Sequence, residues 1–357
     1  MSNRLRNGAS SALLLLTAAL SLALLASGPE AIGKPSLEGL APHDIVVEAK
    51  PVTLDPSQPD RIGFGKLKWL GGVELTSHSP YFGGYSGLIV GPRGKRLIAV
   101  SDAGLWLSGE LQNGANGPIG LTKVRTGPLK GKGGKPITRD RDRDAEALAP
   151  SGSEANVYIG FEQRHRIELT PWAEAGPGAP QRQFAIPRGA RRAKGNAGIE
   201  GIALLTAGPQ AGSLVFFTEN LLDRSGNHRG WLLGSAKPRP LTLKRLKGFD
   251  ITGLALLPDG DLLVLERRYR FLEGMRMRIR RIKATDIKPG ALLDGEVLLE
   301  TDRRLAVDNM EGIAVHRGPA GEPIISLISD DNYNRGLQRT LLLQFTLPQE
   351  RLGQTAR

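Results

Sequence analysis

Five times along the chain, a polar residue is followed by a small one, then by Leu or Ile and an apolar tail. The segments are GGYSGLIV (83–90), RDAEALAP (143–150), GIEGIALL (198–205), DITGLALL (250–257) and NMEGIAVH (309–316). The polar slot holds Ser86, Glu146, Glu200, Thr252 and Glu311, at intervals of 60, 54, 52 and 59 residues. A second apolar run, rich in β-branched and aromatic residues, follows each first one: RLIAVSDAG, NVYIGFEQR, SLVFFTENL, DLLVLERRY and IISLISDDN. Each ends in a carboxylate: Asp102, Glu162, Glu219, Glu266, and Asp330 with Asp331. The intervening turns, PDGD at 258–261 the sharpest, carry the Gly, Pro, Asp and Asn of hairpins.

Two weaker strands follow in most units, as in HRGWLLGSA then PLTLKRL, or MRMRIRRI then GEVLLET. Four short antiparallel strands per unit predict an all-β chain folded as a β-propeller with four-stranded blades. The last unit supplies only three strands, and an orphan run, KLKWLGGVEL (66–75), precedes the first unit. A closed ring needs that orphan strand to complete the final blade and remove the open edges. Residues 66–347 span 282 residues, about five units, so five blades are favoured. Six is the alternative, with residues 40–65 hiding part of a further blade.

Residues 1–31 stand outside this pattern. Arg4 and Arg6 precede an apolar stretch from Ala12 to Ala26, and small residues follow, which reads as a secretory signal peptide. The stretch is shorter than the roughly 20 apolar residues of a membrane span. The expectation is a periplasmic or secreted protein with an N-terminal extension (32–65), the propeller (66–347) and a short tail (348–357). No stable membrane span is expected after cleavage. The chain has no cysteine, which excludes disulfides, thiolate metal sites and a cysteine nucleophile. Lys and Arg outnumber Asp and Glu, 48 to 36, for a net charge of +12. That balance suits an anionic partner. Export points to a small anionic substrate and no nucleic acid, handled by a monomer.

In a propeller, the first strand of each blade lines the axis. The polar slots and strand-end carboxylates are therefore expected to meet at one mouth of the channel. Crowded carboxylates take up protons or hold a cation. An all-oxygen set points to a divalent cation, Ca²⁺ before Mg²⁺. The expected metal ligands are Asp102, Glu162, Glu219, Glu266 and Asp330, with Glu146, Glu200 or Glu311 as general base. The competing reading matches each carboxylate to a local Arg. FEQRHRI (161–167) and LERRYRF (265–271) share a pattern that places Arg164, Arg166, Arg268 and Arg270 just past the strand-end acids. With Ser86, Asp331, Tyr333 and Arg335, they are the candidates for substrate binding, since Arg forks grip phosphate and carboxylate groups. The charged run RDRDRDAE (139–146) reads as an exposed loop between blades. No G-x-S-x-G elbow, H-E-x-x-H pair or P-loop is present.

GGYSGL, AVSDAG, DAEALA, GIEGIAL, DITGLALLPDGDLLVLERRY and NMEGIAV followed by ISDDN, in that order, resemble the phytase-like (esterase-like activity of phytase) family of exported bacterial proteins. The resemblance covers about residues 68–347. It implies a β-propeller and a hydrolase of phosphate or other esters. By position it places Glu146, Glu200, Glu266, Glu311 and Asp330 on recurrent acidic positions, and Ser86 and Asp102 on the opening motif. Arg267 stands where relatives often keep an acid. The expected function is a metal-dependent ester hydrolase. The alternatives are a non-catalytic envelope binding module and a lactone or carboxyl-ester hydrolase.

Overall fold

A computed structural model describes residues 33–193, 198–235 and 237–348. The signal-peptide reading of residues 1–31 and nearly all of the tail, 349–357, lie outside the described residues. Five small, mainly antiparallel sheets form a five-bladed β-propeller. Their innermost strands are Tyr85–Val90, Ala145–Pro150, Ile199–Leu204, Asp250–Leu256 and Met310–Arg317. These five pack side by side in a ring, the fifth against the first.

The blades run outward in chain order until the last. There Met310–Arg317, Pro323–Ser329 and Thr340–Thr346 are completed by Leu67–Thr76, the orphan run, with Leu342 opposite Val73. The ring is thus closed by hydrogen bonds between the two ends of the fold, which leaves no open seam. Residues 40–65 make no further blade. They add edge strands: His43–Asp44 outside blade one, Glu48–Pro51 and Gly63–Phe64 beside the closing strand of blade five. Among the described residues, no helix is long and apolar enough to cross a membrane.

The core is a set of wedges between neighbouring blades. Ile98, Val100 and Trp106 of blade one, for instance, pack on Leu148, Val157 and Trp172 of blade two. Alternating inward residues of each strand supply these layers. On the axis, Leu88, Leu148, Ile202, Leu254 and Ile313 close the channel to a void of about 10 Å³, room for a single water at most.

The small residue after each polar slot has a steric reason. A Cβ on Gly253 would lie 2.6 Å from the Glu311 carbonyl oxygen of the next inner strand. One on Gly312 would lie 2.9 Å from Leu88 Cβ. At Gly253 and Gly312 the inner strands leave no room for a side chain, whereas blade two carries Ala147 at this position. Replacing Gly253 with Ala is therefore expected to destabilise the fold by about 1–3 kcal/mol through overpacking. Gly63→Ala, which meets open space, should stay within about 0.5 kcal/mol. Denaturant midpoints of the two variants check this. Equal midpoints would contradict it.

Candidate metal centre and active site

Every inner strand is irregular at the same place. Tyr85 pairs with Ser101 and Gly87 with Val100, so Ser86 has no partner across the ladder. The same skip occurs at Glu146, Glu200, Thr252 and Glu311. All five polar slots are thus β-bulge residues, and a bulge re-aims the side chain of its extra residue. Here Ser86, Glu200 and Glu311 face the axial void. Thr252 instead donates its hydroxyl to the Met310 carbonyl at 3.0 Å.

The second strand delivers one more side chain per blade. The residue just past the partner of the bulge is Asp102, Glu162, Glu219 and Asp330 in blades one, two, three and five. Each anchors its backbone N–H on a carbonyl two residues before the bulge, namely Gly84, Asp144, Gly198 and Asn309. In blade four, Ile251 pairs with Glu266 itself, so the equivalent residue is Arg267. One step along a strand reverses the side chain. Glu266 accordingly points into the sheet, where Arg280 grips it through Nη2 at 2.6 Å and Nε at 2.8 Å. It is fully buried there, with Arg278 also within 3.6 Å. The expected ligand set therefore loses Glu266, and the local-Arg reading describes that residue and, through Arg267, Glu219. Arg267 turns towards the axis and meets Glu219 at 3.1 Å and Glu311 at 3.5 Å.

Two further groups complete this acidic crown. Asp144, two residues before the blade-two bulge, is 3% exposed. With it, the charged run 139–146 ends inside the site, preceded by a short helix, Asp140–Arg143, whose Arg143 is also buried. Lys34, from the N-terminal extension, places its ammonium 3.0 Å from Asp102 and 3.1 Å from Asp144. Its segment is held down by buried Leu37, packed with Ala103, Leu105 and Tyr333. Arg143 also donates to the Pro35 carbonyl at 3.0 Å.

Oxygens of Asp144, Glu146 and Glu162 lie within 4.8 Å of one another. Two oxygens sharing a Ca²⁺ at about 2.4 Å each can be no farther apart than this, so the three fit one divalent ion. The donor set contains only carboxylates, which suits a hard cation.

Electrostatics give the same indication. Burial first, then Glu311, Asp102 and Asp144, push the Glu146 carboxyl well above its usual range. Glu200 is pushed up likewise by burial and by Glu146, Glu219 and Glu162, and Asp330 by burial, Glu311 and Asp102. Burial raises Glu162 to about 7, against the pull of the Gly198 N–H. Glu219 reaches about 7 by burial despite Arg267, and Asp102 about 6 despite Lys34. Burial opposes the charge on Lys34, but Asp102 and Asp144 outweigh it and its pKa rises. Among the described residues, two fixed cations face this many acids, which leaves the described crown short of positive charge.

The arginines expected to bind substrate have partners of their own. Arg166 is buried over the Phe161 ring and paired with Glu168 at 3.0 Å. Arg268 lies over Phe249 and donates to the Lys247 carbonyl at 2.7 Å. Arg164 is exposed, 3.5 Å from Asp142, and Arg270 is held by Glu273 at 3.1 Å. Arg335 ties down a loop by donating to the Ser77, Ser79 and Phe82 carbonyls. Asp331 accepts the Gly84 and Tyr333 N–H groups, and Tyr333 hydrogen-bonds Ser101. Ser86 Oγ is buried without a partner. Sequence reading missed Asp144, Lys34 and the inward turn of Arg267.

Fold and site together define a five-bladed propeller with a buried acidic crown that can hold a metal ion. The family described as phytase-like, esterase-like activity of phytase, matches residues 80–333, and the chain belongs to it. No curated protein matches the chain. Among solved structures, it is similar to the PQQ-bound aldose sugar dehydrogenase of Streptomyces coelicolor. That match has 16% identity and a TM-score of 0.38, over 86% of this chain and 99% of that one. It is also similar to a putative 6-phosphogluconolactonase of Bacteroides uniformis, with 13% identity and a TM-score of 0.35, over 84% and 81% of the two chains. A putative gluconolactonase gives 12% identity and a TM-score of 0.38, over 90% and 98%. At these scores the likenesses carry no argument about chemistry.

The two kinds of carboxylate separate by mutation. Glu266→Gln strands Arg280 and should cost about 3–5 kcal/mol of stability, as breaking a buried pair does, while leaving Ca²⁺-induced stabilisation intact. Glu146→Gln should abolish the Ca²⁺-induced rise in Tm. The reverse pattern would contradict the assignment.

The pH dependence has a definite sign. Carboxyls with raised folded-state pKa values bind more protons when folded than when unfolded. Without a cation, they therefore cost stability as pH rises from the ordinary carboxylate range to about 7. A bound divalent ion needs the same groups ionised. The Tm gap between millimolar Ca²⁺ and chelator is thus expected to widen from about pH 5 to about pH 8. A constant gap would place the metal away from these acids.

Proposed function

We propose that the chain is an exported, Ca²⁺-dependent ester hydrolase that acts on a small anionic ester at the acidic crown, as a monomer. The carrying observation is the metal-spaced oxygen set of Asp144, Glu146 and Glu162, set by the bulges of a phytase-like propeller. Export rests on the N-terminal sequence alone.

In this reading the three acids would hold the cation, which would supply polarisation of the ester oxygen and lower the pKa of the attacking water. Of the three carboxylates open for general-base work, Glu146 belongs to the metal set. Glu311 is tied to Asn309 at 2.8 Å and to Arg267. Glu200 remains. It has no hydrogen-bond donor of its own among the described residues, and it is close enough to Glu162 to share a proton. Positive charge at the neighbouring triad draws its raised pKa back down, so it becomes a base only when the site is loaded. Water then bonds to the phosphorus or acyl carbon, its proton passes to Glu200, and the ester bond breaks. The alcohol leaves with a proton returned from Glu200. Arg267, partly exposed, is the cation that faces an anionic oxygen of the substrate.

The second reading, a non-catalytic binding module, draws on the closure of the crown. Its acids are 9% exposed or less, beneath the segment that carries Lys34. Assays on p-nitrophenyl phosphate and p-nitrophenyl acetate, with Ca²⁺ and with chelator, separate the readings. Hydrolysis should require Ca²⁺. Glu200→Gln should lower kcat by about 10²–10⁴ with Ca²⁺ stabilisation retained. No turnover on either ester, with that stabilisation intact, would support the binding module. Turnover of the acetate alone would support a carboxyl-ester or lactone hydrolase.

A further inference from the structure

At the other end of the axis, across the plug from the acids, lies a cavity of about 640 Å³. The inner strands start at the crown and finish here, at Val90, Pro150, Leu256 and Arg317. Its volume is that of a small-molecule site. The floor is apolar: Ile98 and Val157 lie beneath half-buried Ile89, Leu256 and Val315, with Trp172 to one side. The rim is cationic, with Arg93, Lys95, Arg96 and Arg317 set against a single carboxylate, Glu154.

The state of those four cations is the second observation. None lies within ion-pair distance of a carboxylate among the described residues, whereas Arg267, Arg280 and Lys66 each meet one. Arg96 and Arg317 use one N–H each on backbone carbonyls, Ala173 at 3.1 Å and Gly321 at 3.4 Å. Arg93 and Lys95 are exposed on the hairpin turn of blade one. His316, which lines the same wall, is kept neutral near pH 7 because burial pushes its pKa down to about 4, so the rim's charge comes from the four permanent cations. Unpaired cations around an apolar floor match a ligand with an acidic head and a hydrocarbon body. The head takes the Arg forks and the body covers the floor.

We propose that this second cavity is a binding site for a small amphipathic anion, one acidic group joined to an acyl-chain-sized apolar body, taken free from solution. It is independent of the chemistry at the crown, from which the apolar plug separates it.

The test uses the full chain with anilinonaphthalene sulfonate as fluorescent probe and dodecanoate, below its micellar concentration, as competitor. One saturable site is expected, displaced by dodecanoate and at least about tenfold less well by its uncharged methyl ester. Arg93→Glu combined with Arg317→Glu changes two exposed side chains. It should weaken probe and dodecanoate at least about tenfold, with an unchanged unfolding midpoint. Glu146→Gln should leave binding as it is. The proposal is overturned by non-saturable binding, by equal displacement with the ester, by an unaffected double variant, or by loss of binding in Glu146→Gln. Sedimentation with phosphatidylglycerol vesicles without binding of free dodecanoate would also overturn it, by marking a membrane-contact patch.

Discussion

Each inner strand carries one residue more than the strand beside it, and the surplus residue is the one released from the ladder at the axis. A regular strand would send that side chain into the wedge between blades, where a carboxylate has no partner. The bulge turns it out of the wedge, and the small residue that follows lets the next inner strand close in. Five bulges around one axis therefore create a crowded polar ring above a sealed apolar plug. Glu146, Glu200 and Glu311 are neighbours for this reason, although more than fifty residues separate each from the next.

Crowding has an electrostatic consequence. Among these acids, Lys34 and Arg267 serve as permanent cations at two separate places: one beside Asp102 and Asp144, the other beside Glu219 and Glu311. Between them, Glu146, Glu162 and Glu200 have no cation within ion-pair distance among the described residues. A divalent ion there would relieve the repulsion that burial magnifies, and its arrival would set the protonation of the nearest acid. Metal binding, proton affinity and stability are thus one coupled property of the ring.

Much of this was legible in the sequence because it repeats. Five copies of a polar-small-aliphatic pattern revealed the blade count, and the orphan strand revealed how the ring closes. What failed was register. Period-two alternation identifies a strand but not which residue faces which across it, so Glu266 was read in place of Arg267, one position away and on the opposite face. Asp144 was hidden in a run of alternating charge that reads as solvated loop, although its last three charged residues are buried. Lys34 arrives through the path of the chain, without any local pattern. The partners of the candidate substrate arginines were also illegible: beyond the strand ends, Arg166 meets Glu168, and Arg268 meets Phe249 and the Lys247 carbonyl.

The central claim is that one divalent ion sits on the blade-two side of the crown, away from Arg267. Crystals grown with Mn²⁺ and measured for anomalous scattering test it most directly. The account predicts a single strong peak bonded to oxygens of Asp144, Glu146 and Glu162. A crown without a peak, or a peak held by Glu219 and Asp330 beside Arg267, would contradict it.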